Sequence, residues 1–275
     1  MAKHDPDGPP AYFGNGSDGP GKDKGLPIIP SFSSQTQALY ACLHLSREDR
    51  IRLLGFPPHM VEVMRNTLTI AWPVGLQNSE GGPGWHEFKL RGNPWFGQGR
   101  EAVPAKRLMI HILHAMANAG WHLAASTDLS KKNWDKDSLM FRAGPPAHRI
   151  MFAVTFNETD KIRIIDPPNE SVQQAFIQTV VNSWRGGIQN QKLKEERCYQ
   201  IKLRGNPWYA SSAQQVNDAR FLALQLLTTF DNLGYELCAT IDMNTGASED
   251  NRDSTLYMLD AQLIAVDAWF FAAKM

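Results

Sequence analysis

The heptapeptide KLRGNPW occurs at Lys89–Trp95 and again at Lys202–Trp208. Further matches surround both copies in the same order, since WPVGLQN at Trp72–Asn78 answers WRGGIQN at Trp184–Asn190. The offset between matching residues drifts only from 110 to 114. Repeats of this length are domains, because solenoid units have periods of only about 20–50 residues. The sequence therefore predicts a tandem duplication, with the same fold in both copies.

The composition indicates a folded protein without a general affinity for polyanions. Hydrophobic residues make up 43% of the 275 residues, which is enough to bury a sizeable core. The 28 basic and 28 acidic residues cancel, so no net charge attracts nucleic acid or an anionic membrane. An aromatic RNA-binding motif and an apolar run of about 18 residues are both missing. We expect neither nucleic acid nor membrane as a partner.

The chain divides into a tail and two repeats. Residues 1–25 contain six glycines and four prolines, a composition with little apolar surface to offset the entropy of ordering. We expect residues 1–36 to be a disordered tail, residues 37–146 the first repeat and residues 147–275 the second.

The cysteines favour a reducing compartment. Cys42, Cys198 and Cys238 are odd in number and have no close spacing, so they fit neither a disulfide framework nor a zinc site. The opening residues also lack the apolar stretch of a signal peptide. We expect a cytoplasmic protein, with the nucleus as the alternative.

Each repeat reads β-β-α-β-α-β-β. Apolar runs separated by a polar turn, as in Leu39–Leu45 and Ile51–Leu54, indicate a hairpin. Gly120 and Gly234 stand where a glycine ends a helix. We predict an α+β fold in which helices pack on a mainly antiparallel or mixed sheet, with the two units related by a pseudo-twofold axis. The segment Trp269–Met275 predicts one more strand, either the start of a truncated third copy or an added edge strand that buries its aromatics.

The RGNPW loop is the strongest candidate for a binding site. Glycine allows an unusual backbone angle, proline stiffens the turn and tryptophan offers a large amphipathic ring. An aspartate ends a later strand that could lie at the same end of the sheet. The predicted binding residues are Arg91, Asn93, Trp95 and Asp128 in the first repeat and Arg204, Asn206, Trp208 and Asp242 in the second. The structural alternative is a tryptophan lid over the end of the sheet, with arginine and aspartate in a fixed ion pair.

Catalysis has weaker support. All eight histidines lie at or before His148, so the second repeat has none beyond its second residue. His111 and His114 have a helical spacing that can bind metal when other ligands converge, but Gln225 and Thr228 replace them in the second repeat. A solvated helix face explains this pattern. Nucleophile-elbow, phosphate-loop, zincin and dinucleotide motifs are missing. We predict no catalytic residue, no metal and no cofactor.

Two functional hypotheses remain. The first is a non-catalytic intracellular binding or scaffold protein that recognises a protein or small ligand through the RGNPW loops or the groove between the units. The second is a small-molecule enzyme with one active and one degenerate unit, suggested by the uneven distribution of histidines. The sequence leaves the oligomeric state open.

Overall fold

The computed structural model describes residues 39–96, 99–129, 135–243 and 268–275. The predicted tail, residues 1–36, lies outside these ranges, and so does a strand that the sequence predicts at Thr255–Leu259. The described residues form two six-stranded antiparallel sheets with helices packed on them, which confirms the α+β fold.

The elements follow one another in the same order in both repeats. The first repeat contains β1 (Tyr40–Ser46), β2 (Arg50–Leu54), α1 (His59–Ala71), β3 (Leu76–Gly82), β4 (Trp85–Leu90), α2 (Ala102–Asn118), β5 (Trp121–Thr127) and β6 (Asp135–Ala143). The second contains β7 (Met151–Asn157), β8 (Lys161–Ile165), α3 (Glu170–Ser183), β9 (Ile188–Glu195), β10 (Cys198–Leu203), α4 (Ala213–Asn232), β11 (Tyr235–Ile241) and β12 (Ala268–Ala273).

The two sheets have the same strand order. The first runs β3-β4-β2-β1-β6-β5 and the second β9-β10-β8-β7-β12-β11. They also share a β-bulge: pairing skips one residue between Leu123 and Ala125 on β5, and one between Leu237 and Ala239 on β11. A bulge is a specific local feature that families retain. Its recurrence at matching residues confirms the duplication.

The ends of the helices agree with the sequence. Pro58 is the N-cap of α1, and Asn169 takes the same position before α3, where its side chain accepts a hydrogen bond from the backbone N–H of Val172. Gly120 and Gly234 follow α2 and α4 with φ of +80° and +84°. This left-handed backbone suits glycine and ends both helices at the same point of the fold.

Each repeat has one strand more than the sequence predicts. The stretch between the first helix and the KLRGNPW strand contains β3 in the first repeat and β9 in the second. Both strands are mostly exposed and lie at the edge of their sheets. An exposed edge strand needs only backbone pairing on one side, so it carries none of the apolar alternation that identifies a strand in sequence.

The C-terminal strand β12 lies inside the second sheet. It pairs with β7 on one side and β11 on the other, which is the place of β6 in the first sheet. As expected, it buries Phe270 and Phe271. It is neither an edge strand nor the start of a third copy: it is the last strand of the second repeat, separated from β11 by residues 242–267.

The repeats meet at their edge strands β5 and β11, but the helix contacts between them are one-sided. Helix α2 lies on the first sheet and also packs against β7 and β8 of the second. One continuous core therefore joins Met109 and Leu113 of α2 to Ala153, Ile165 and Phe270 on the outer face of the second sheet. Among the described residues, α4 makes no comparable set of contacts with the first sheet. A twofold axis would make these contacts reciprocal, so the repeats are stacked one behind the other instead.

Among the described residues, no helix combines the length and the apolar character needed to span a membrane.

Candidate functional site

The RGNPW loop of the first repeat is fastened by its tryptophan. The chain leaves β4 and turns at Gly92, where φ is +75°. Trp95 is fully buried, and its backbone N–H donates to the carbonyl oxygen of Glu48 at 2.9 Å. Its indole Nε1–H donates to the carbonyl oxygen of Arg50, also at 2.9 Å. The side chain therefore ties the loop to the β1–β2 turn.

The second loop repeats this arrangement. The backbone N–H of Trp208 donates to the carbonyl oxygen of Thr159 at 3.1 Å, and its Nε1–H donates to that of Lys161 at 2.9 Å. The ring packs edge-on against Phe156, with the ring centroids 4.8 Å apart. Trp208 is only partly buried, so this anchor is the less enclosed of the two.

A second pair of tryptophans holds the same loops from the other side. Trp72 Nε1–H donates to the carbonyl oxygen of Arg91 at 2.8 Å, and Trp184 Nε1–H donates to that of Arg204 at 3.1 Å. Sequence reasoning gave these residues no role. The available signal was their place in the repeated W-x-x-G-x-Q-N segment that precedes each loop.

The predicted aspartates stand apart from the loops. Strand pairing puts Arg91 and Asp128 at the same end of the first sheet, but four inter-strand spacings separate β4 from β5. At about 4.8 Å per spacing, the strands lie about 19 Å apart. In the second sheet, β10 and β11 separate Arg204 from Asp242 in the same way. The structure brings arginine, asparagine and tryptophan together in each loop and leaves the aspartate outside that group.

The polar residues of both loops reach the surface. Arg91 and Arg204 are exposed, and each Nε–H is turned back to a backbone carbonyl, of Leu76 at 3.2 Å and of Ile188 at 3.4 Å. Asn93 is also exposed. It borders a hollow of about 480 Å³ whose other lining residues are Arg47, Glu48, Asp49, Arg50 and Lys89.

The larger hollow is a groove between the repeats, with a volume of about 610 Å³. Helix α2 forms one wall, and the second repeat forms the other. The lining residues are Arg107, Ile110, His111 and His114 from α2 and Ile150, Met151, Asp166, Pro168, Glu196 and Arg197 from the second repeat. Ile150 is half exposed, so the groove offers an apolar surface to a ligand.

The charges of this groove are held in fixed pairs. Arg107 Nε–H donates to the carboxylate of Asp166 at 3.1 Å, and one terminal N–H donates to Glu195 at 2.9 Å. A second terminal N–H of Arg107 donates to the backbone carbonyl of Glu196. Arg197 shares Asp166, with 3.6 Å between Nε and the carboxylate oxygen. This network fixes the two walls against each other and leaves the groove with little net charge.

The two histidines of α2 lie at the groove in different environments. His111 is exposed, as the solvated-face interpretation expects. His114 is half-buried, and its Nδ1 lies 2.9 Å from the carbonyl oxygen of Arg149. Because a carbonyl only accepts, that nitrogen carries the hydrogen and Nε2 is the basic one. The ring of His148 packs edge-on at 4.9 Å between ring centroids. Within the described ranges, no three His, Cys, Asp or Glu side chains converge closely enough to hold a metal ion.

The three thiols are packing groups. Burial raises the pKa of the Cys198 and Cys238 thiols to about 11, and it also raises the pKa of Cys42. All three are free of disulfides. Protonated thiols of this kind are poor nucleophiles and poor metal ligands.

One domain-family model matches the chain twice, over residues 39–142 and 150–271. The two matches cover most of the chain and coincide with the two sheets. Searches of curated proteins and of solved structures give no match.

Proposed function

We propose that this chain, which belongs to the domain family whose model it matches twice, is a non-catalytic binding module that holds a peptide segment of a partner protein in the groove between its repeats. The observation that carries the proposal is a groove of about 610 Å³ whose walls come from both repeats and are joined by the ion pairs of Arg107 with Asp166 and Glu195. This volume is typical of ligand sites, which are largely formed before the ligand arrives.

The lining suggests the chemistry of the peptide. Ile110, Ile150 and Met151 supply apolar surface that suits one or two apolar side chains. His111 and Arg197 are both exposed, so they can donate to backbone carbonyls or to a carboxylate of the ligand. An extended segment with an apolar anchor next to an acidic residue fits this arrangement best.

The RGNPW loops would have two roles. Their tryptophans fasten the loops to the sheet, so the ring of Trp95 has no exposed surface to offer a ligand. Their arginine and asparagine side chains are exposed, and these remain predicted contacts for a partner that extends beyond the groove.

Selection from a displayed peptide library tests the proposal. We expect the wild-type protein to enrich peptides with the chemistry above. The Ile150→Asp variant should lose affinity about tenfold or more, because the charge replaces the apolar anchor site. Ile70→Asp is the matched control, since Ile70 lies on α1 and is 80% exposed. No enrichment, or equal binding by the Ile150→Asp variant, would contradict the proposal.

The residues that line the groove also support a second candidate function, that of a small-molecule enzyme. His111 and His114 line it together with the carboxylate of Asp166, and the second repeat has neither histidine. Basic His114 Nε2 could accept a proton from a substrate bound there. A screen of small hydrolysable and isomerisable substrates tests this: turnover that disappears in His114→Gln would support it, and turnover unchanged in that variant would refute it.

We place the protein in a reducing compartment, with the cytoplasm as the first choice. The support is three unpaired cysteines, of which Cys198 is fully buried. Fluorescence microscopy of the tagged protein would test the location, and a secreted protein would contradict it.

A further inference from the structure

The two long helices are covered to different extents. Helix α2 is buried on two sides, and Ile110 lies beneath the second sheet. Counting back from the asparagine that ends each helix, Arg107 and Ile110 correspond to Phe221 and Leu224 of α4. Phe221 is 57% exposed and Leu224 55% exposed. Within the described ranges, the second repeat therefore leaves exposed the helix face that the first repeat uses for docking.

The first sheet leaves the complementary face open. Large apolar side chains are exposed on its outer side at the first residue of β1, the last of β2 and the first of β4: Tyr40, Leu54 and Trp85. Strand pairing puts Leu54 directly opposite Trp85, so they form one patch. The same positions of the second sheet are occupied by Met151, Ile165 and Cys198, all packed into the core that contains α2.

The polar residues on the outer face of the first sheet do not prevent a helix from packing on it. Arg52 of the first sheet pairs with Glu87 across β2 and β4. At the matching positions of the second sheet, the Nε–H of Arg163 donates to Gln200, and that pair is buried. The fold already buries a paired arginine at this place.

Both exposed faces lack the charged residues that join the two repeats within one chain. In the second sheet, Asp166 and Glu195 meet Arg107 of α2. The backbone N–H of Asp166 bonds to Arg197, and that of Gly55 bonds to Gly84, so Gly55 stands in the place of Asp166.

The pairing of β3 with β4 likewise puts Gly82 in the place of Glu195. The first sheet therefore has no carboxylates there, and α4 has Phe221 where α2 has Arg107. A cavity of about 430 Å³ lies beside this place, between α1 and the end of the first sheet, and is bordered by Pro58 and Val61 as well as by Phe56, His86 and the β3–β4 turn.

We propose that a second copy of this chain docks the α4 face around Phe221 and Leu224 on the outer face of the first sheet around Leu54 and Trp85. The contact continues the packing that already joins the two repeats within one chain. Such an interface uses two different surfaces, so it is heterologous, and each added copy exposes the same two faces again. The assembly grows as an open chain of copies, and its contacts are separate from the peptide groove of the proposed function.

Sedimentation velocity with the full-length protein tests this proposal. We expect the mean mass of the wild type to rise with concentration above the 30.8 kDa of one chain. Phe221→Asp blocks the helix face and Leu54→Lys blocks the sheet face, and each variant alone should weaken association about tenfold or more. Ile70→Asp again serves as the control, because it adds the same charge to an exposed position of α1.

Mixing the two blocked variants gives the decisive result. Phe221→Asp retains an intact sheet face and Leu54→Lys retains an intact helix face, so the mixture should form a one-to-one dimer that does not grow further. Circular dichroism confirms that both variants are folded. A wild type that stays monomeric, variants that associate like the wild type, or a mixture that does not pair would each overturn the proposal.

Discussion

Replacement of Trp95 by phenylalanine tests the anchoring role of the RGNPW loop. The indole N–H of Trp95 donates to the buried carbonyl of Arg50 at 2.9 Å, and phenylalanine has no donor to replace it. A buried acceptor that loses its partner costs about 1–3 kcal/mol. The smaller ring also leaves a void of roughly 35 Å³, which adds about 1 kcal/mol at about 24 cal/mol per Å³.

The expected total loss for Trp95→Phe is therefore about 2–4 kcal/mol in the free energy of unfolding. A chain of this size loses about 3 °C in Tm per kcal/mol, so the midpoint should fall by about 6–12 °C. The corresponding Trp208→Phe change should cost only about 1–2 kcal/mol, because Trp208 is partly exposed and water can reach its acceptor.

Urea unfolding followed by far-UV circular dichroism measures these losses without relying on tryptophan fluorescence. Tyr209→Phe is the control, since Tyr209 lies in the second loop and is exposed, and it should stay within about 0.5 kcal/mol of the wild type. If Trp95→Phe cost less than Tyr209→Phe, the buried hydrogen bond would not hold the loop and the anchoring argument would be refuted.

Three further predictions concern charges and thiols. Burial alone would raise the pKa of the Glu87 carboxyl. The hydrogen bonds from Arg52 and Arg50 have the opposite and larger combined effect, so the pKa lies below its usual value. Its contribution to stability is present above the unfolded pKa near 4.3 and lost as pH falls through the folded pKa. Glu87→Gln should cost about 1–2 kcal/mol at neutral pH and flatten the acid limb of a stability–pH curve; an unchanged acid limb would refute this. Because the thiols of Cys198 and Cys238 have pKa values of about 11, a thiol reagent at pH 8 should modify Cys42 first and the other two only on unfolding, as peptide mass spectrometry would show. Arg107→Ala should lower stability by about 1–2 kcal/mol in low salt and by less in high salt, and a loss independent of salt would contradict the ion-pair assignment.

Much of the fold could be predicted because each element of the fold is encoded in both sequence repeats. The KLRGNPW copies and their neighbours establish the duplication, and the glycines after α2 and α4 mark both helix ends. The edge strands β3 and β9 could not be recognised, since they bury almost no side chains. The place of β12 was hidden by residues 242–267, which separate it from its partner β11.

The candidate site was harder to predict from sequence. Whether Trp95 faces a ligand or the core depends on a carbonyl that lies 45 residues earlier in the chain, and local pattern says nothing of that contact. The groove depends on how the repeats pack, and similarity between repeats does not determine their arrangement. The differences between Arg107, His111 and His114 of α2 and Phe221, Gln225 and Thr228 of α4 were visible signs that the two helices have different neighbours.

Chemical crosslinking tests the one-sided stacking of the repeats most directly. Cysteines placed at Arg107 and Asp166, whose side chains are in contact, should be joined within one chain by a short bismaleimide. Cysteines placed at their exposed counterparts, Phe221 and Gly55, should not be joined within one chain at high dilution. Mass spectrometry of the linked peptides distinguishes the outcomes. Stacking predicts the first link alone within a single chain, and a twofold arrangement would give both.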